Sequence, residues 1–194
     1  RETVRKCART YATQLSIIDN YPDYIFGASQ PQHYQFIKDT YPELYERIKK
    51  AVKSGNWEAQ GGMWVEADCN LISGESMVRQ LLHGKNFFKD EFGVDVDNLW
   101  LPDVFGYSAA LPQILKKSGI NYFLTQKLSW SQFNEFPHHT FNWRGIDGTE
   151  ILTHFPPENT YNSELDTEFL IPARDNLQEK DQIDEFISLF GVGD

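Results

Sequence analysis

Short apolar runs alternate with amphipathic stretches throughout this chain, and that alternation limits its fold more than any other feature. Val4, Cys7, Ala8, Tyr11, Leu15 and Ile18 recur at three- and four-residue steps, which predicts a helix over residues 1–18. A turn at Asn20-Tyr21-Pro22-Asp23 precedes a short strand expected at 24–26. Helices are expected at 31–38 and from Pro42 to Ser54, the second burying Leu44, Ile48 and Val52. A strand at 57–60 leads into a long helix over 75–92, with Val78, Leu81, Leu82, Phe88 and Phe92 as its core-facing candidates. Then come a strand at 99–101, a helix at 111–117 closed by Gly119, and a strand at 120–125. Strands at 140–143 and 150–155 flank an Ile146-Asp147-Gly148-Thr149 turn, and an acidic helix is expected at 180–189. Strands that alternate with helices favour an α/β fold with a mainly parallel sheet. No repeat, low-complexity tract or linker divides the chain into two domains.

Charge and cysteine content narrow the function classes. A formal net charge of −10 leaves no basic stripe to displace counterions, which argues against a nucleic-acid partner and an anionic membrane surface. No run approaches the roughly 18 apolar residues of a membrane span. The two cysteines, Cys7 and Cys69, have no metal-type spacing, and no Asn-X-Ser/Thr sequon occurs, which fits a reducing, cytoplasmic setting. The chain starts at Arg1 without a methionine and stops at Gly191-Val192-Gly193-Asp194, so it reads as a single segment, 1–194, truncated at both ends.

One carboxylate is placed suggestively. In "NLWLPDVFGYSAALPQILKKSG", residues 98–119, an apolar run stops at Pro102 and Asp103 follows directly. Ligands of parallel α/β sheets bind at the carboxyl ends of strands. Asp103 either caps the following turn or faces such a pocket, with Gly106 permitting a close approach and Phe105 and Tyr107 adding flat surfaces. A second cluster lies in "GGMWVEADCNLISGES", residues 61–76. If that segment stays extended, Trp64, Glu66, Asp68 and Asn70 share one side; otherwise it is a loop that caps a helix. Of the five histidines, none has the spacing of a His-Glu-x-x-His zinc site, and His154 is the best placed for a pocket. Nucleotide-binding and serine-hydrolase loops are missing.

"WLPDVFGYSAALPQIL" (100–115), "GNWEAQGGMWVEADCNLISGESMVRQLL" (55–82) and "FLTQKLSW" (123–130) resemble the catalytic domain of glycoside hydrolase family 38, the α-mannosidases, of bacterial and cytosolic type. The likeness covers essentially the whole chain. It implies a seven-stranded (β/α) barrel of the glycoside hydrolase/deacetylase type, incomplete here, and retaining hydrolysis of terminal α-linked mannose assisted by Zn2+. Asp103 would be the nucleophile and one zinc ligand, Phe105 would lie near the metal, and Lys127 would stand near the nucleophile. Trp64 and Asp68 belong to a stretch near the substrate pocket, and Asp194 is a candidate acid/base.

The resemblance also implies a His-x-Asp pair ahead of Arg1 and a later histidine, neither of which these residues contain. The other zinc ligands are therefore expected outside the chain, and the chain alone is expected to be inert. Its partners would be an α-mannoside oligosaccharide, the rest of the parent enzyme and, in a homo-oligomer, further copies. Two other readings compete: a polysaccharide deacetylase-like metal enzyme, which would want an Asp-Asp pair and a His-x-x-x-His segment, and a non-catalytic carbohydrate-binding module.

Overall fold

A computed structural model describes residues 2–191. Its contacts group into two compact units, one built from the described residues up to 65 with 75–97, the other from 66–74 with the residues from 98 onward.

The first unit holds helix α1 (Glu2–Asn20), strand β1 (Phe26–Ala28), α2 (Pro31–Thr40), α3 (Pro42–Ser54), β2 (Trp57–Ala59) and most of α4 (Gly74–Phe92). β1 and β2 pair in parallel, with Phe26 opposite Trp57. The core is aromatic: Tyr11, Tyr34, Trp57 and Phe88 are buried together. Its polar atoms are satisfied, since Trp57 Nε1 donates to Tyr34 Oη at 2.8 Å and that hydroxyl donates to the Ala28 carbonyl at 2.9 Å. The long helix buries Met77, Leu81, Gly84, Phe87 and Phe88, whereas Val78 and Leu82 are exposed, so its inward face is turned by one residue from the expected one. Gly84 explains the turn. A Cβ there would stand 2.1 Å from the Gly62 carbonyl oxygen, so the 61–65 loop lies directly on the helix backbone.

The second unit contains β3 (Asn98–Leu101), α5 (Leu111–Lys117), β4 (Tyr122–Thr125), a 3₁₀ turn (Lys127–Trp130), β5 (Thr140–Arg144), β6 (Glu150–His154) and α6 (Thr167–Asn176). They form a four-stranded sheet in the order β3-β4-β6-β5. β3–β4 and β4–β6 are parallel, and β5–β6 is antiparallel. The antiparallel pair follows from chain length: the 145–149 turn is far too short for the crossover that a parallel pair requires. Leu99, Leu101, Leu111, Leu115, Ile120, Phe123 and Ile151 are buried in this unit.

Two further sequence expectations are corrected. The seven-stranded barrel is not there: the described residues form six strands in two separate sheets, one parallel pair and one mixed sheet, and no barrel closes. The acidic helix expected at 180–189 is also missing, and the last helix lies earlier, at Thr167–Asn176, where the Asp166 carboxylate accepts the Phe169 N–H at 3.1 Å. Residues 183–190 carry no helix because their polar groups have tertiary partners. Ile187 N–H donates to His154 Nε2, the Leu189 carbonyl accepts from Ser163 N–H, and Ser188 Oγ donates to Glu158. No helix among the described residues is long and apolar enough to cross a membrane.

Candidate active site

The site is built at the ends of β3 and β4. After the buried Leu101, the chain turns at Pro102 and presents Asp103. The loop is fastened on both sides. Tyr107 Oη donates to the Leu101 carbonyl at 3.2 Å and also bonds Thr125 Oγ1 at the end of β4. On the other side, Asn70 Nδ2 donates to the Phe105 carbonyl at 3.2 Å. Gly106 sits at φ 145°, and a Cβ there would lie 2.7 Å from Asn70 Nδ2, so no other residue fits without displacing that amide. Burial pushes the Tyr107 phenol far above its ordinary pKa, which keeps it a neutral donor.

Asp103 faces Lys127. Oδ1 of the carboxylate is buried and lies 2.7 Å from Nζ, as a charge pair without a well-directed hydrogen bond. The lysine side chain is 3% exposed and the aspartate side chain 35%. Three aromatic rings surround the ammonium: Nζ stands 3.5 Å from the Trp130 ring centroid, 4.6 Å from Tyr161 and 5.1 Å from Phe105. It also donates to Tyr161 Oη at 3.1 Å. Burial alone would lower the Lys127 pKa, but the Asp103 carboxylate and Tyr161 outweigh it and the net shift is upward.

Local sequence explains this arrangement. Lys127 opens the 3₁₀ turn, where residues three apart eclipse, so Trp130 comes to lie over Lys127. The preceding Gln126, 1% exposed, ties the turn down: its Nε2 donates to Ser129 Oγ at 2.8 Å and to the Asn159 carbonyl at 2.7 Å. That second bond fixes the loop that carries Tyr161.

Of the residues selected from the sequence, Asp103, Phe105 and Lys127 thus come together. Asp68 does not join them; its Oδ1 accepts the Asn70 N–H at 2.8 Å and its carbonyl accepts from Leu71 and Ile72, a turn-forming role. The 61–73 segment is a run of bends and turns, not an extended strand, so Trp64, Glu66, Asp68 and Asn70 do not share a side. Trp64 belongs to the first unit, where Nε1 donates to Gln32 Oε1 at 3.1 Å and its ring meets Phe87 edge-on. Asp194 lies outside the described residues. His154 is held elsewhere, bonded to Thr140 Oγ1 at 2.8 Å and to Ile187 N–H, and burial pushes its pKa down to about 4.

Trp130 and Tyr161 were not legible as site residues. Trp130 could have been found from its three-residue spacing to Lys127 in a short turn, but nothing local announces Tyr161. As for metal, no group of three or more His, Cys, Asp or Glu side chains among the described residues could hold an ion. Asp103 offers one oxygen and already faces an ammonium, so these residues do not by themselves make a four-ligand zinc site.

Comparison with known proteins gives a consistent answer. The profile described as "Glycosyl hydrolases family 38 N-terminal domain" matches residues 1–194. "Alpha-mannosidase G" of Dictyostelium discoideum is 51% identical over 193 residues, covering 100% of this chain and 18% of that protein. "Alpha-mannosidase 2C1" of Homo sapiens is 49% identical over 194 residues, covering 100% and 19% respectively. The chain therefore spans about a fifth of the length of these relatives. Among solved structures, an α-mannosidase from Enterococcus faecalis V583 superposes with a TM-score of 0.66 at 24% identity, over 78% of this chain and 17% of that one, a likeness of fold.

Proposed function

Because the chain belongs to glycosyl hydrolase family 38, as a stretch of its N-terminal domain, we propose that its parent protein hydrolyses terminal α-linked mannose with retention, using Asp103 as nucleophile. The observation that carries this reading is the Asp103–Lys127 pair at 2.7 Å inside a ring of aromatic side chains. The ammonium beside the carboxylate pairs with it and holds it at the strand end, where a nucleophile has to be fixed. In the first step an Asp103 oxygen bonds the anomeric carbon as the glycosidic C–O bond breaks, and the leaving oxygen takes a proton from an acid. Water then cleaves the glycosyl ester and restores the carboxylate. Tyr161 and Trp130 hold Lys127, and the fastened 102–107 loop fixes the attacking oxygen.

Asp194 stands as a proposed acid/base. Zinc likewise remains a proposal of the resemblance: Asp103 would supply one oxygen, and the other ligands would come from the remainder of the parent. No step above depends on it. The 1–194 stretch is proposed as one segment of the catalytic domain, inert when isolated. Cys7 and Cys69 are both free thiols, which supports a reducing, cytoplasmic location.

The test uses the full-length parent, wild type and Asp103→Asn, on an aryl α-mannoside with zinc and after chelation. The variant is expected to lose roughly 10³-fold or more, about 4 kcal/mol in the barrier. Near-normal turnover in Asp103→Asn would reduce Asp103 to a turn cap and remove the assignment. An inactive wild type that still binds mannose would favour a binding module.

A further inference from the structure

One face of the four-stranded sheet is met by an extended segment rather than by a helix. Strand register puts Trp100, Leu124 and His154 in one row across β3, β4 and β6, and Asn98, Tyr122 and Leu152 in another row on the same face. Parallel strands are ordinarily buried on both faces. The opposite face carries the buried Leu99, Leu101, Phe123 and Ile151, whereas this one meets residues 182–187 across a cavity of about 530 Å³. Residues 183–190 belong to no helix or strand. Polar bonds hold them: Ile187 N–H donates to His154 Nε2 at 3.2 Å, Ser188 Oγ donates to Glu158 at 2.7 Å, and Ser163 N–H donates to the Leu189 carbonyl at 2.8 Å. A stretch held in this way opens locally long before the whole protein unfolds.

The bond to Ile187 exists only while His154 is neutral. Because Nε2 accepts an N–H, the neutral ring carries its proton on Nδ1, which donates to Thr140 Oγ1 at 2.8 Å. A proton added at Nε2 would set two donors against each other. Burial and the neighbouring His139 lower the His154 pKa, and the Glu179 carboxylate opposes them only in part. His139 is itself buried, its Nδ1 accepting the Gln178 N–H at 3.2 Å, and burial lowers its pKa against Glu179 and Glu135. Asp184 and Glu185 of the segment and the Tyr122 phenol line the cavity with His154, and no lysine or arginine does. Glu179 is the fixed end. It accepts the His139 and Thr140 N–H groups at 3.1 and 3.0 Å and lies 2.9 Å from His138 Nδ1. Burial alone would raise its pKa, but the Thr140 N–H, His138 and the His139 N–H hold it below the ordinary carboxylate value, so this anchor survives mild acid.

We propose that His154 is an acid-released latch: a proton at Nε2 breaks its bond to Ile187, and residues 183–189 swing off the sheet from the anchored Glu179, uncovering Trp100, Tyr122, Leu124 and Leu152. The cover is thin already, since Tyr122 is 50% and Leu152 42% exposed. Linkage gives the size and sign of the effect. A ring that binds its proton at about pH 4 when the segment is closed and near 6.5 when it is open moves the balance toward the open form about 20-fold between pH 7 and 5. The inference does not depend on the α-mannosidase reading of the parent.

The test follows amide hydrogen exchange in the full-length parent protein from pH 7 to pH 4, each peptide's rate being divided by that of the unstructured sequence at the same pH. Peptides within 183–189 are expected to lose protection about tenfold or more between pH 7 and 5, while those of β3 and β4 keep theirs. His154→Gln sets an amide oxygen where Nε2 accepts and does not titrate, so in that variant the loss should shrink to about threefold or less. Equal protection of the wild-type segment at both pH values overturns the proposal, as does a loss as large in His154→Gln as in wild type. If His154→Gln is unprotected throughout the sheet at pH 7, the wild-type profile decides. A loss that runs from about pH 6.5 to 4 supports the latch, and one that starts only below pH 4 assigns the release to carboxylates and overturns it.

Discussion

Replacing Lys127 with methionine tests the physics of the site directly. The substitution keeps most of the side-chain volume among Phe105, Trp130 and Tyr161 and removes the charge. At 2.7 Å, the Lys127–Asp103 attraction is about 6 kcal/mol for an effective dielectric constant of 20. The ammonium is buried, but about a third of the aspartate side chain is open to water, so screening and the avoided cost of desolvating the lysine take back much of this. A net loss of about 2–3 kcal/mol is expected. Urea unfolding of the full-length protein at pH 7, with unchanged m, would read it as a shift in midpoint. Asp103→Asn in the Lys127→Met background should recover at least about 1 kcal/mol, because no unpaired carboxylate then remains. The pH dependence has a definite sign. The folded pKa of Lys127 is raised, so its contribution is complete below the unfolded value of about 10.4 and disappears as pH climbs through the folded one. The gap between wild type and Lys127→Met should therefore stay level from pH 7 to 9 and close only in strong alkali. A stability change below about 0.5 kcal/mol, or no recovery in the double variant, would refute this account of the pair.

Other sites give sharp expectations. Gly84→Ala, which in an open helix would stabilise by up to about 1 kcal/mol, should instead destabilise by about 1–3 kcal/mol, because the new methyl meets the Gly62 carbonyl; a raised Tm would contradict the packing described. His154 has a folded pKa of about 4 against an unfolded value near 6.5, so its unfolded form takes up the proton first and stability should drain away as pH falls from about 6.5 to 4. His154→Asn should flatten Tm against pH in that window, and an unchanged slope would exclude His154 as the source. Trp130→Leu should cost about 1 kcal/mol through the lost cation–π contact and lower the Lys127–Asp103 coupling measured in a double-mutant cycle; full additivity would mean the ring does not hold the ammonium.

Local pattern was enough for much of this protein. Helical periodicity located α1, α3 and α5, and short apolar runs located β3, β4 and β6, because side-chain spacing reports which face of an element is buried. Asp103 was legible for a related reason: a carboxylate straight after an apolar run and a proline is placed at a strand end by the chain itself. What the spacing could not supply was anything set by a partner distant in sequence. The inward face of α4 depends on the 61–65 loop resting on Gly84, and residues 183–190 stay extended because His154, Ser163 and Glu158 bond them. The barrel was implied by the resemblance, not by spacing, and the strand pairing among the described residues, a contact between distant segments, gives two separate sheets instead. The sequence by itself determined where the Asp103 carboxylate would stand. Only the tertiary structure decided its company, because Lys127 reaches Asp103 from 24 positions away, with Trp130 and Tyr161 around its ammonium, through a turn and a loop that Gln126 binds together.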